Sequence, residues 1–149
     1  MSGLECMAKI DIPFESDEEI SELVELFEAC RWPYERWTHR AHVAVAASYL
    51  TSLPLDAAID RIRGTINRYN RVCGDPTGYH ETITVVLMRI VADFLRNESA
   101  GLSLVEIVDE LASTRTTKRV LLRHYSAEVL FSPEAKARLV EPDLEPLAV

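Results

Sequence analysis

The stretch Trp37-Thr38-His39-Arg40-Ala41-His42-Val43-Ala44-Val45-Ala46-Ala47-Ser48-Tyr49-Leu50 decides the fold class. Thr38 suits the N-cap position, because its hydroxyl can accept from a first-turn amide that lacks an intrahelical partner. The run that follows is rich in Ala and contains neither Gly nor Pro, which favours helix. Val43, Ala46, Tyr49 and Leu50 form its apolar stripe, predicting a helix to about residue 50. His39 and His42 fall on the same face, with Cβ atoms roughly 5–6 Å apart. Both histidines are therefore expected to point inward. Trp37 before the cap and His42 within the helix have the spacing of a hydrophobic staple, so packing is the simplest role for Trp37.

Helical signals extend in both directions. Upstream, Ser16-Asp17-Glu18-Glu19 reads as a capping box opening a helix over about 17–30, with Ile20, Leu23, Val24 and Phe27 on one face. Residues 1–15 read as an irregular lead-in, and Pro33 interrupts the chain before Thr38. Downstream, a helix is predicted over about 55–72, with Ile59, Ile62, Ile66 and Tyr69 on its stripe. The turn cluster Gly74-Asp75-Pro76-Thr77-Gly78 follows it. The next helix starts between 77 and 82 and runs to about Arg96, with the stripe Ile83, Leu87, Ile90, Val91 and Phe94. It is the most apolar of the helices and is expected at the centre. Shorter helices are predicted at about 103–111, at 117–124 and after Ser132-Pro133. Residues 141–149 are expected as an extended tail, because Pro142 and Pro146 preclude regular helix.

The expectation is a single all-α domain, a bundle of six or seven helices. A chain of 149 residues with 48% hydrophobic and 27% charged residues can bury one sizeable core. The formal net charge of −8 argues against nucleic acid and anionic membranes as partners. Arg61, Arg63, Arg68 and Arg71 form a local basic stretch, best read as a solvent face that offsets the acidic first helix. Cys6, Cys30 and Cys73 are odd in number and lack CxxC spacing, which points to free thiols in a reducing compartment. No signal peptide is expected and no apolar run reaches the roughly 18 residues of a membrane span, so a cytoplasmic protein is expected.

The histidines are the most informative residues. His80 stands ahead of Ile83 and Leu87 on the stripe of its helix, and His124 follows Leu121 on an apolar face. His39, His42 and His80 are the candidate ligands of a divalent metal ion. Two imidazoles one turn apart supply two ligands, and a third from a facing helix would leave an open coordination position. Glu81 is the candidate base or fourth ligand, and Tyr79 the candidate proton donor. The short side chains Ala41, Ala44, Ala46 and Ala47 would let the second and fourth helices approach. Metal-assisted hydrolysis or lyase chemistry is the corresponding reaction class. Two other readings compete: a metal-free pocket in which histidines and tyrosines bind a small metabolite, and a buried histidine network with a purely structural role in a homo-oligomer.

Several motifs carry a resemblance. Trp37-Thr38-His39-Arg40-Ala41-His42, Gly78-Tyr79-His80-Glu81-Thr82-Ile83-Thr84, Tyr125-Ser126 with Leu130-Phe131-Ser132, and Glu141-Pro142-Asp143-Leu144 resemble an uncharacterised family of small bacterial proteins. The resemblance covers about residues 37–146. The family has no assigned activity, so it implies no substrate. The position of His124 is often Tyr in that pattern, which leaves His39, His42 and His80 as the better shared set.

Overall fold

Serine and threonine hydroxyls set most of the helix starts. The computed structural model describes residues 8–149, so Cys6 and the beginning of the lead-in lie outside the described residues. Ser16, Thr38, Ser103, Thr117, Ser126 and Ser132 each accept the amide three residues on, opening α1 (Asp17–Glu28), α2 (His39–Ser52), α5 (Leu104–Glu110), α6 (Lys118–His124), α7 (Ala127–Leu130) and α8 (Pro133–Ala137). Pro54 precedes α3 (Leu55–Val72), and His80 caps α4 (Glu81–Asn97) with its ring. A 3₁₀ turn, Tyr34–Arg36, links α1 to α2, and a π-helical turn, Leu111–Arg115, extends α5. The described residues therefore form an all-α bundle of eight helices without strands. The helix beyond the expected six or seven is α7, a single turn too short to show periodicity.

α2, not α4, occupies the centre. It packs against α1, α3, α4 and α5. Ala41, Val43, Ala44, Val45, Ala46, Ala47 and Tyr49 are all buried, so it is enclosed on nearly every side. Its alanines make this possible, since a one-carbon side chain lets neighbours approach from several directions at once. The expected contact between α2 and α4 is present.

α4 lies between two apolar clusters. Met88, Val91 and Phe94 join the main core. Val86 faces a smaller cluster with Leu121, Tyr125 and Leu130. Of the expected stripe, Val91 and Phe94 are buried, whereas Ile83, Leu87 and Ile90 are only half-buried. The apolar arc of α4 is wider than one stripe because it serves two clusters.

α1 ends before Pro33 is reached. Arg31 N–H bonds to Leu26 O (2.7 Å) and Cys30 N–H to Phe27 O (3.0 Å), the paired bonds of a Schellman motif. Cys30 occupies its left-handed position with φ 57°. The Cys73 thiol donates to Cys30 O at 2.9 Å, and both cysteines are free thiols. Arg61 and Arg68 of the basic stretch reach back to Glu28 on α1, through its carboxylate and its backbone carbonyl respectively.

The tail after α8 contains no helix and bends at residues 143–145, and it is fastened rather than loose. The buried Thr82 hydroxyl donates to Arg138 O (2.8 Å) and accepts from Val140 N–H (3.1 Å). Tyr125 O–H donates to Val140 O, Ser126 N–H to an Asp143 carboxylate oxygen, and Leu144 N–H to His124 O. The Tyr125-Ser126 and Glu141-Pro142-Asp143-Leu144 motifs thus meet in one clasp.

Candidate functional site

Three helices leave a gap where they meet. α2 contributes His39, His42, Val43 and Ala46 to its wall, and α3 contributes Ile62 and Ile66. α4 adds Ile83, Thr84, Leu87, Met88 and Val91. The cavity has a volume of about 320 Å³ and its wall is mostly aliphatic. Ile83 and Leu87 stay half-buried because they border this space. Organic ligands are held in pockets of about this size and larger, apolar walls carrying a few placed polar groups.

His42 is the best-defined polar group on that wall. Its ring stacks on Trp37 with centroids 3.8 Å apart, and Trp37 in turn stacks on Phe27 at 4.4 Å. The Trp37 packing expected from the staple spacing is present. His42 Nδ1 lies 2.7 Å from Thr38 O. A carbonyl only accepts, so Nδ1 carries the hydrogen and Nε2 carries the lone pair. Nε2 has no protein partner, whereas every fully enclosed side-chain nitrogen or oxygen among the described residues has one. Nε2 therefore meets open space, and the cavity is the space that His42 borders. Burial pushes the imidazole pKa down to about 4, against the opposing pull of the Thr38 carbonyl. At neutral pH the ring is uncharged.

His39 lines the cavity but is exposed to solvent, so it is not turned inward as expected. Its Nε2 is 2.9 Å from the Thr116 hydroxyl. That hydroxyl gives its only hydrogen to Leu111 O (2.8 Å), so it accepts from His39 Nε2–H. Nδ1 of the neutral ring is then an acceptor. Desolvation lowers the His39 pKa, with Asp11 pulling it back up.

His80 does not join them. It is the N-cap of α4, with extended backbone (φ −131°), and not a residue of the first turn. Its Nδ1 accepts from Ile83 N–H (3.1 Å), which places the hydrogen on Nε2, and Nε2–H donates to Leu130 O (2.7 Å). Both ring nitrogens are thus committed to backbone, and the ring is not on the cavity wall. The expected convergence of His39, His42 and His80 is not found, because capping α4 turns His80 toward α7. Among the described residues, no group of three or more His, Cys, Asp or Glu side chains could hold a metal ion. Of the His, Cys, Asp and Glu side chains described, His39 and His42 are the ones that line the cavity.

Glu81 and Tyr79 form a separate cluster. Arg63 grips Glu81 with two parallel bonds, Nε to Oε1 (3.0 Å) and Nη2 to Oε2 (2.6 Å). Tyr79 O–H donates to Oε1 at 2.5 Å. The Arg63 bonds hold the Glu81 carboxyl below its ordinary pKa, and burial raises the Tyr79 phenol. An ion-paired carboxylate with a lowered pKa is a poor base, and a phenol with a raised pKa keeps its proton. Neither residue lines the cavity.

His124 donates through Nδ1 to Glu145 O (2.9 Å) and belongs to the tail clasp. Sequence reasoning missed Arg63 and Thr116 as partners. Thr116 stands 77 residues from His39 and carries no local signal. Among the described residues no helix is long and apolar enough to cross a membrane. Comparisons with protein-family models, with curated proteins and with solved structures find no match to this chain.

Proposed function

We propose that this chain binds a small, largely apolar organic molecule in the cavity between α2, α3 and α4, without a metal ion. The observation that carries this reading is the pairing of an aliphatic wall with one fixed neutral imidazole, His42, whose open nitrogen has no protein partner. An engineered apolar cavity of about 150 Å³ takes a benzene ring. A space of about 320 Å³ suits one ring bearing a short chain. The metal-dependent reading needs His80 as a third ligand, and His80 spends both nitrogens on backbone.

The test is a thermal-shift screen of substituted benzenes and short aliphatic compounds against untagged protein, with metal content measured on the same sample. A ligand at about a hundred times its Kd adds roughly 2.7 kcal/mol to stability, so a rise of several degrees is expected. Ala46→Leu projects three more carbons toward the cavity and should abolish the shift, read on protein whose circular dichroism matches wild type. A screen with no hit, or hits that survive in Ala46→Leu, would remove the pocket reading. Stoichiometric metal lost on His42→Ala would restore the metal reading with fewer protein ligands.

A further inference from the structure

Resting on that pocket, we infer that its ligand presents a neutral hydroxyl donor, of the phenol or alcohol class, to Nε2 of His42.

The argument begins with the tautomer. Thr38 O fixes the hydrogen on Nδ1. Nε2 is then an acceptor that cannot become a donor without a second proton or a break from Thr38. Such an imidazole recognises a group that brings its own hydrogen. His39 adds a second acceptor, since Thr116 and Leu111 O together assign its hydrogen to Nε2 and leave Nδ1 open. Both imidazoles beside the cavity therefore offer lone pairs and neither offers a spare hydrogen.

Charge disfavours the ionic ligand classes. A carboxylate would bring an anion against a lone pair inside an aliphatic wall, with no cation on that wall to meet it. The guanidinium nearest in role, Arg63, is occupied by Glu81 and Asp60. An ammonium would leave water for a site with no carboxylate on its wall, which is costly. Thr84 is the one other polar residue lining the cavity, and its hydroxyl is uncharged. A neutral donor on an apolar body satisfies His42 and buries the remainder.

Three probes of one shape test this: 4-propylphenol, 1-methyl-4-propylbenzene and 4-propylbenzoate, titrated calorimetrically at pH 7.5. The phenol is expected to bind about tenfold more tightly than the methyl analogue, roughly one hydrogen bond's worth. The benzoate is expected not to bind. In His42→Phe the phenol's advantage should vanish while the methyl analogue still binds. On wild-type protein, the nitrogen-15 resonance of His42 Nε2 should move upfield with the phenol and stay put with the methyl analogue. This readout holds even if His42→Phe does not fold. Equal affinities for phenol and methyl analogue, with an unmoved Nε2 resonance, overturn the hydroxyl inference and leave the pocket standing. Preference for the benzoate overturns it in favour of an anion. Failure of all three probes overturns the pocket reading itself.

Discussion

The carbonyl oxygen of Thr38 lies 2.7 Å from Nδ1 of His42, one helical turn further along α2. The same residue caps the helix, its hydroxyl accepting from Ala41 N–H at 3.2 Å. One residue therefore starts the helix and decides which nitrogen of the histidine stays open. The consequences reach stability as well as binding.

Acid should destabilise the protein through His42. Its folded pKa of about 4 lies below the ordinary 6.5. Between those values the unfolded chain binds a proton that the folded chain refuses, so unfolding gains as pH falls. The stability is complete above about pH 6.5 and is lost as pH drops toward 4. Burial also lowers His39 and His80, which act with the same sign. The His42 share is on the order of 1–2 kcal/mol after allowing for the ring edge that faces the cavity. Urea denaturation from pH 7.5 to 4.5 should show a shallower slope for His42→Phe than for wild type. Identical slopes would clear the imidazole of any part in acid sensitivity.

His80 should behave as a structural residue. His80→Ala removes the α4 cap and strands Leu130 O, at a cost of about 1–3 kcal/mol. His80→Asn restores a capping side chain and should recover part of that loss. Neither variant should change affinity for a cavity ligand. A large drop in affinity in His80→Asn at unchanged melting temperature would put His80 back in the site.

Cys30→Gly should stabilise the chain. The residue is held at φ 57°, where any side chain is strained and glycine is not. The gain should be roughly 0.5–1 kcal/mol under reducing conditions. The Cys73 thiol bonds to the Cys30 carbonyl, which glycine keeps. Unchanged or lower stability would mean that the Cys30 side chain contributes packing worth more than the strain.

Thr82→Val should loosen the tail. Its buried hydroxyl both donates to Arg138 O and accepts from Val140 N–H, so an isosteric methyl leaves two backbone groups unpaired. The expected loss is about 2 kcal/mol, with faster amide exchange at Val140 and Leu144. Exchange rates that match wild type would show the clasp to be held by Tyr125 and Asp143 instead.

Local chemistry made much of the fold legible. The hydroxyl caps Ser16, Thr38, Ser103 and Ser132 act on amides three residues away, so their helices could be read directly. The bounds expected for α3, 55–72, are those observed. The stacking of Trp37 on His42 is likewise a contact within one turn. α7 escaped because one turn shows no period. The place of α2 at the centre escaped because its apolar residues run all round the helix, and no sequence period marks enclosure by four neighbours.

The site divides along the same line. By itself the sequence determined that His39 and His42 share one face of a capped helix, since a three-residue spacing fixes that geometry. The Nδ1 tautomer of His42 was not legible there although its carbonyl partner is local, because it depends on which way the ring turns. Only the tertiary structure decided that His80 would turn away to Leu130, 50 residues on, and that Arg63 would claim Glu81. The cavity belongs wholly to the tertiary structure. It is a space left between three helices, set by how closely they approach, and no residue encodes a gap.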